Sequence, residues 1–596
     1  TAKAQIDQDV NNVRARLTTG GDVWWDLNDG RYVVPKVEPG QTEVSSIFAG
    51  AVWLGGIDPG GNLKLAAMTY GHSSGRNDFW PGPLDPETGT TDKEVCDKWD
   101  RFFEVSGEEI EEHQRRWQQA RQGGAPYTED LIPLGVKGWP ARGNPYFADV
   151  HGFELPNTQQ GLAGFWDVDG DTRYDPLQGD FPIIEIRGCE EEPQFPDEMI
   201  FWIYNDAGGI HGQTNADKIR MEVQVQAFGY ATSDERNDMT FQRYKLINRA
   251  QEDIDSTFFA VWVDPDLGCF LDDYIGSDST RSFGYVYNAD ALDGQPGTTC
   301  QLGVATYGDE IPVLGVDYFR GPLNEFREEI GLSSFTYYNN GSFNNPPEPT
   351  TDPATPIEYY RYMTGRWKDG TPFTFGGDGY DPLSTDFTNF AFPSPPNDPN
   401  GWSMCTEDLP EYDRRFIFAS GPFVLQPGAV NELIVGIPWV PDFDYPCPDI
   451  TRILFADDVA QALFDNCFPR FDGPDAPDVD WIELDREIIA VLTNDTLTSN
   501  NAFLQYHEVD LKAPAYHPLT GEPLEFPDDS YFFEGYLVYQ LAGPEVSRGD
   551  LDNPDKARLI QRFDIENGVK EIYNWKPIRN VGAGSNEFLW VPELQV

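Results

Sequence analysis

Acidic side chains dominate this chain, and their excess restricts what it can fold into. Asp and Glu number 100 against 42 Lys and Arg over 596 residues, a formal net charge of −58. A compact core forms against that repulsion where salt screens it or where carboxylates gather around divalent cations. The alternative is that the acids simply make the surface acidic and serve neither purpose. Because such a field repels a phosphate backbone and no long Lys or Arg run is present, a nucleic-acid partner is disfavoured.

The remaining composition favours a folded, turn-rich β protein. Aromatic residues make up 14 %, alongside 57 Gly and 48 Pro, whereas disordered acidic chains are poor in aromatic residues. The length suggests about three to five domains. The expected fold is mainly β, with multi-domain antiparallel β-sandwiches, long loops and a short helical insertion near residues 92–121.

Local patterns predict the elements of the first 125 residues. Apolar residues at helical spacing predict a short helix or extended arm over residues 4–19, and runs at 47–54 and 63–69 flank a turn-rich segment typical of a hairpin. Residues 1–90 are expected to be an N-terminal arm and hairpins that pack on the main domain. Ser106 and Glu109 form a capping box, which indicates helices at about 92–103 and 107–121, within an insertion at 91–125.

Residues 126–470 are predicted to form the main calcium-binding β-sandwich region. Five apolar residues alternate with polar ones from Ile219 to Ala227, which indicates a half-buried antiparallel strand. Further elements are expected as strands at 258–263, 416–423 and 432–439, long ordered loops at 339–400 and a short helix at 457–464. A Pro- and Gly-rich linker at 471–477 precedes strand candidates at 481–484, 488–492 and 531–540.

The strongest local motif is an aspartate-rich loop. Its carboxylates occupy positions 1, 3, 5 and 9, so that they converge on one point, as the oxygen ligands of Ca²⁺ require. It departs from a complete EF-hand because Gly170 stands at position 4 and Gln178 at position 12. The predicted ligands are Asp167, Asp169, Asp171, Asp175 and the backbone carbonyl near Arg173. An aspartate-rich surface turn is the alternative.

A second acidic group follows the predicted strand at 258–263. Its carboxylates would gather at a strand end, where a cation removes the cost of like-charge repulsion. The candidate ligands are Asp264, Asp266, Asp272, Asp273 and Asp278. Solvated turn acids are the alternative, and Ca²⁺ is the only cofactor predicted.

Catalytic patterns are weak, and the chain is not expected to be an enzyme. Residues 71–75 match G-x-S-x-G, but no helix can follow them as a nucleophile elbow requires. The six histidines are scattered, and a glycosidase pair is uninformative among 100 acids. Six tryptophans could form a carbohydrate platform, although core packing is favoured: Trp24, Trp25, Trp80, Trp139, Trp402 and Trp439.

Cysteine usage favours an exported protein. The seven cysteines include no C-x-x-C pair, and proximity in sequence predicts the disulfides Cys269–Cys300 and Cys447–Cys467 with a thiol left over. No apolar stretch is long enough for a transmembrane segment.

Six strings of the sequence are long enough to be specific, and they lie at residues 11–26, 46–56, 77–84, 139–145, 165–182 and 263–276. They resemble the N-terminal region of very large Bacteroidota surface proteins that are exported by type IX secretion. The resemblance implies an extracellular or outer-surface location, a structural or adhesive role in a larger appendage, cell-surface or glycan targets, and the type IX machinery as an export partner. From about residue 475 the chain resembles a fibronectin type III-like module, so that 471–596 is expected to be such a sandwich.

The sequence thus predicts a calcium-stabilised adhesive surface protein. Long Pro- and Asn-rich loops are natural places for subunit contacts, which makes a homo-oligomer plausible if salt or calcium screens the charge. The alternative is a secreted hydrolase or carbohydrate-binding module. That alternative predicts an aromatic cleft containing two acids of perturbed pKa.

Overall fold

The structure is a computed structural model whose described residues fall into two compact units, Thr1–Phe468 and Pro469–Val596. It is mainly β, with 34 % strand and 14 % helix, which confirms the predicted fold class. The described residues are 2–37, 40–71, 75–189, 195–232, 235–294, 300, 303–441, 443–465, 467, 474–496, 499–509, 530–543, 554, 556–566, 572–579 and 588–595.

The first unit contains two large antiparallel sheets. Its strands are β1 (Gln5–Gln8), β2 (Arg14–Thr18), β3 (Asp22–Val23), β4 (Tyr32–Val33), β5 (Ser45–Ile47), β6 (Ala49–Ile57), β7 (Leu63–Ala67), β8 (Trp80–Pro81), β9 (Phe103–Ser106), β10 (Phe165–Trp166), β11 (Phe181–Pro182), β12 (Glu198–Asn205), β13 (Met221–Gly229), β14 (Thr240–Asn248), β15 (Ile254–Asp264), β16 (Asp273–Asp278), β17 (Phe283–Asn288), β18 (Val313–Arg320), β19 (Ser334–Asn339), β20 (Arg414–Leu425), β21 (Val430–Ile437) and β22 (Trp439–Val440). Its helices are α1 (Lys93–Trp99), α2 (Gly107–Arg121), α3 (Leu134–Lys137), α4 (Phe147–His151), α5 (Pro356–Met363) and α6 (Thr451–Asp465).

Strands from distant parts of the chain alternate in each sheet. The first sheet has the order β19-β20-β15-β6-β3-β2-β4-β5, with β1 beside β2 and β7 beside β6. The second has the order β16-β17-β18-β21-β14-β13-β12-β8, with β22 beside β18 and β9 beside β12. Strands from residues 1–90 therefore belong to both sheets of the main body.

The two sheets pack face to face around an aromatic core. Tyr318 of β18 stacks on Phe418 of β20 with ring centroids 4.3 Å apart, and its hydroxyl donates to the Phe418 carbonyl at 2.9 Å. Tyr244 of β14 and Phe259 of β15 lie 5.1 Å apart. Burial of large aromatic rings from both sheets is the main source of stability in such a sandwich.

The strand predicted from Ile219 to Ala227 is present as β13, but the prediction that it is half-buried is wrong, because all nine residues of β13 are buried. The polar side chains on its outer face lie beneath other segments. Glu222 pairs with Arg249 at 3.0 Å, and the Gln226 amide donates to the Ile183 carbonyl at 3.1 Å. Hydrogen bonds and ion pairs therefore make a polar strand face compatible with burial.

The structure decides between the two N-terminal alternatives and corrects one helix. Residues 4–19 take the extended alternative and form β1 and β2 rather than a helix, because Val13, Ala15 and Leu17 are buried at every second position. The first predicted helix ends at Trp99, and β9 follows it because Phe103 and Val105 alternate inward while β9 pairs with β12.

The second predicted helix is confirmed as α2. The Glu109 N–H donates to the Ser106 hydroxyl at 3.2 Å, and the Ser106 N–H donates to the Glu109 carboxylate at 3.1 Å, which completes the capping box. The loop region predicted at 339–400 contains α5, whose capping box at Thr355 and Glu358 was a readable signal.

The predicted hairpin is confirmed as β6 and β7, and the strands at 258–263, 416–423 and 432–439 are confirmed as parts of β15, β20 and β21. Helix α6 begins at Thr451, six residues before its predicted start at Asp457. No helix in the described residues is both long and apolar enough to span a membrane.

One of the two predicted disulfides is correct. Cys269 and Cys300 are bonded, whereas the other bonds are Cys189–Cys467 and Cys405–Cys447, so the Cys447–Cys467 prediction is wrong. Proximity in the sequence predicted the wrong partner because Cys467, which follows α6, lies beside Cys189, 278 residues away in the chain. Cys96 is the thiol left over, and it is buried.

The described strands of the second unit pair as four antiparallel hairpins. These strands are β23 (Asp478–Leu484), β24 (Glu487–Thr493), β25 (His507–Val509), β26 (Ser530–Phe532), β27 (Gly535–Leu541), β28 (Ala557–Asp564), β29 (Ile572–Arg579) and β30 (Phe588–Gln595). The predicted strands at 481–484 and 488–492 lie in β23 and β24, whereas the single strand predicted at 531–540 is divided between β26 and β27. The fibronectin III-like arrangement stays a prediction.

Candidate functional site

The aspartate-rich loop between β10 and β11 is organised by its own backbone. Asp167 accepts hydrogen bonds from the N–H groups of Gly170, Asp171 and Thr172 at 2.8, 3.2 and 2.8 Å. Oxygens of Asp167, Asp169 and Asp180 lie within 4.8 Å of one another, close enough for one cation. We call these three residues the acidic loop site.

Two predicted ligands of this loop have other partners. Asp171 accepts from the Arg173 N–H at 2.7 Å, and Asp175 accepts from the Leu177 N–H at 2.9 Å. Neither belongs to the group of three acids. Coordination by these two side chains and by the Arg173 carbonyl stays a prediction.

Asp180 was missed because it lies beyond a twelve-residue loop frame. It is fully buried and accepts from the N–H groups of Val168 and Asp175 at 2.9 and 2.8 Å. Burial raises the pKa of Asp180 to about 6, and the charges of Asp167 and Asp169 act in the same direction. The exposed turn therefore has a buried acid beneath it.

The second site lies where β15 ends beside the start of β20. Oxygens of Asp264, Asp266 and Asp413 lie within 4.8 Å of one another, and we call this group the strand-end cluster. Asp264 and Asp413 are buried, and Asp266 is half-buried. Antiparallel pairing of β15 and β20 explains the meeting, because the end of one strand adjoins the start of the other.

One guanidinium serves both buried acids of the strand-end cluster. Arg415 Nε lies 3.0 Å from Asp264 Oδ1, and its Nη1 pairs with Asp413. The Tyr70 hydroxyl donates to Asp264 and accepts from Arg415 Nη2 at 3.0 Å. Asp264 and Asp413 thus share one ion-pairing cation, and Asp266 has no ion pair within the described part of the chain.

Burial and the excess of carboxylates over cations raise the pKa values of the cluster. Burial raises the pKa of Asp264, and the charge of Asp413 adds to the rise while Arg415 opposes it. Burial likewise raises the pKa of Asp266, followed by the charges of Asp264 and Asp413. A divalent cation would replace protons as the neutralising charge.

Asp272 and Asp293 belong to a third group, which we call the inner cluster, whereas Asp273 lies outside it and accepts from the Leu267 N–H at 3.0 Å. Asp293 accepts from the N–H groups of Cys269 and Tyr307 at 2.8 and 2.5 Å. Asp272 Oδ1 and Asp273 Oδ1 are buried and have no hydrogen-bond partner among the described residues. The Cys269 sulfur also lies near this group, but its bond to Cys300 leaves only oxygen ligands there.

Burial raises the pKa of Asp272 to about 7 and that of Asp293 to about 6. Asp278, the last predicted ligand, lies apart at the far end of β16. Burial alone would raise its pKa, but the Thr280 hydroxyl and the Arg281 guanidinium together lower it. Its ion pair with Arg281 at 2.9 Å gives this carboxylate a counter-charge.

Three sets of candidate residues remain from the sequence: the G-x-S-x-G string, the histidines and the tryptophans. His72, Ser73 and Ser74 of the G-x-S-x-G string, and His517, lie outside the described residues. His211 is buried with its ring nitrogens 2.8 and 2.7 Å from the carbonyls of Leu65 and Asp206. Five tryptophans are buried, as core packing requires, and Trp80 is half-buried; the five are Trp24, Trp25, Trp139, Trp402 and Trp439.

Comparisons with known proteins add no further constraint. No family model matches the chain, and no curated protein matches its sequence.

Proposed function

We propose that this chain is an extracellular structural or adhesive protein whose β-sandwich is stabilised by Ca²⁺. The strand-end cluster carries the proposal, because it brings three carboxylates together in the first sheet while one guanidinium pairs with only two of them. Leaving such charges unneutralised is costly in a low-dielectric interior. Ca²⁺ prefers carboxylate oxygens and tolerates irregular geometry, which suits this group.

Two other features support an extracellular setting. Six of the seven cysteines are disulfide-bonded, and disulfides persist in oxidising compartments. A net charge of −58 suits a medium in which salt and divalent cations screen repulsion. The adhesive role, the homo-oligomer and the glycan or cell-surface targets extend the proposal on the strength of the sequence resemblance.

The test is thermal unfolding and sedimentation of the purified chain in Ca²⁺ and in chelator at equal ionic strength. We expect chelation to lower the melting temperature of the first unit and to weaken any assembly. A site saturated a hundredfold above its dissociation constant contributes about 2.7 kcal/mol. Equal melting temperatures in the two buffers would reject calcium stabilisation. An unchanged monomer in both would reject calcium-dependent assembly.

The matched variants are Asp266→Asn in the strand-end cluster and Asp381→Asn in an exposed loop of the same unit. Asp381 accepts a hydrogen bond from the Leu383 N–H at 2.9 Å and belongs to none of the three clusters. We expect Asp266→Asn to reduce the response to calcium and Asp381→Asn to retain it. Equal responses in the two variants would assign the calcium effect to the general acidic surface.

A further inference from the structure

A pair of buried aspartates lies at the contact between helix α6 and strand β18, away from the three sites above. The Tyr318 side chain points into the sandwich, where its hydroxyl donates to the Phe418 carbonyl at 2.9 Å. Because side chains alternate along a strand, Asp317 lies on the outer face of the second sheet. Helix α6 covers that face, since Phe319 stacks on Phe464 of the helix with centroids 4.9 Å apart.

The helix directs an aspartate of its own toward the same place. One stripe of α6 is buried, and it consists of Ile453, Ala456, Asp457, Ala460, Leu463 and Phe464. Five of these residues are apolar, as expected of a helix packed on a sheet. Asp457 interrupts the stripe, and its charge has the strongest effect of any neighbouring charge on Asp317.

The pair has few protein partners. Asp317 is 0 % exposed and Asp457 2 % exposed. Neither oxygen of Asp317, nor Oδ1 of Asp457, accepts a hydrogen bond of normal geometry from the described residues, although the backbone N–H of Tyr318 favours the charged form of Asp317 and so lowers its pKa. The nearby Arg281 pairs instead with Asp278 and Asp458, each at 2.9 Å.

Two kinds of neutralisation are available to such carboxylates. Burial raises the pKa of both groups, and neighbouring carboxylates raise it further. One shared proton would satisfy a donor oxygen and an acceptor oxygen, which leaves at least one of the three unpartnered oxygens without a partner. A hard cation accepts several carboxylate oxygens at once. A cation therefore satisfies more of these oxygens than one shared proton does.

A route from solvent reaches Asp457. A surface cleft of about 390 Å³ is lined by Asp457 and Asp458 of α6 and by Thr280 and Arg281 of the β16–β17 turn. An ion could enter through this cleft with part of its water shell, as Mg²⁺ and Ca²⁺ sites commonly retain.

We propose that Asp317 and Asp457 form a binding site for a hard divalent cation that fastens α6 to the second sheet. The two carboxylates supply the protein ligands, and water from the cleft completes the coordination. The site rests on its own residues, so it stands or falls separately from the strand-end cluster and from the proposed function.

The test uses Asp317→Asn and Asp457→Asn, with Asp465→Asn as the matched control. Asp465 lies on the same helix and lines the same cleft, but its side chain is 59 % exposed and pairs with Arg320. Equilibrium dialysis with CaCl₂ or MgCl₂ alone counts the ions bound per chain. We expect each pair variant to lose one ion, or to bind it roughly tenfold more weakly, since even residues that only support metal ligands contribute that much. The control should bind as the unaltered chain does.

The effect of Asp317→Asn on the melting temperature should have opposite signs in chelator and in saturating cation. In chelator, Asp317→Asn removes a buried charge, so it should melt at a higher temperature than the unaltered chain. In saturating Ca²⁺ or Mg²⁺ it should melt at a lower one, and α6 amides should exchange hydrogen faster. A variant at least as stable as the unaltered chain in both buffers, with an unchanged ion count, would overturn the proposal in favour of a shared proton. If Asp317→Asn fails to fold, Asp457→Asn gives the same two readouts.

Discussion

The acidic loop site and the strand-end cluster hold three carboxylates each, yet they neutralise them in different ways. The loop gathers its acids within one short segment, and Asp167 is held by backbone N–H groups of the same turn. The cluster depends on Arg415, which lies 151 residues from Asp264. A loop can thus prepare a cation site from local hydrogen bonds, whereas a buried cluster depends on the whole sheet.

The largest expected effect tests that dependence. Arg415→Met leaves Asp264 and Asp413 without their guanidinium, and breaking a buried ion pair costs about 3–5 kcal/mol. We expect urea unfolding in chelator to show this loss and added Ca²⁺ to recover part of it. Arg14→Met is the control, because its pair with Glu43 is partly exposed and such pairs contribute at most about 1 kcal/mol. Equal losses in the two variants would remove the distinction between the sites.

A second experiment tests which aspartates of the loop bind calcium. Asp169→Ala should abolish the calcium response of the acidic loop site, about 2.7 kcal/mol at a hundredfold saturation. Asp171→Ala should retain most of it, because Asp171 lies outside the group of three and accepts the Arg173 N–H. The readout is the difference in melting temperature between Ca²⁺ and chelator. An equal loss in both variants would favour the ligand set predicted at positions 1, 3, 5 and 9.

The smallest expected effect, taken per pH unit, is a pH dependence of the buried acids. Raised pKa values mean that the folded chain binds protons more tightly than the unfolded chain, so this stability is present at low pH and is lost as pH rises. For Asp272 and Asp293 the loss falls between their ordinary pKa and about 7 and 6. In chelator we expect the free energy of unfolding to fall by on the order of 1 kcal/mol per pH unit in that window for each titrating group.

Bound calcium should reduce the pH dependence of the free energy of unfolding that the inner cluster causes. At the acidic loop site, Asp180 should contribute a similar pH dependence. The control is Asp272→Asn, measured beside the unaltered chain. Because the general repulsion of the acidic surface acts on both chains, the difference between them isolates this carboxyl. Identical slopes in the two chains would contradict the assignment.

Prediction from sequence succeeded where the signal was local. The capping box at Ser106 and Glu109, the β6–β7 hairpin and the Cys269–Cys300 bond all follow from residues close in the chain. It failed where a neighbour came from elsewhere. Cys467 is bonded to Cys189, 278 residues away in the chain, rather than to the nearby Cys447.

The sequence by itself determined the β class and the first acids of the loop, since strand alternation, turn residues and Asp spacing act over a few residues. Only the tertiary structure decided that Asp180 lies under the loop, that Asp413 joins Asp264, and that Asp457 approaches Asp317. The physical reason is that antiparallel pairing and helix–sheet packing bring together residues that no local pattern connects. Burial then makes their charges consequential, because carboxylates removed from water need a counter-charge.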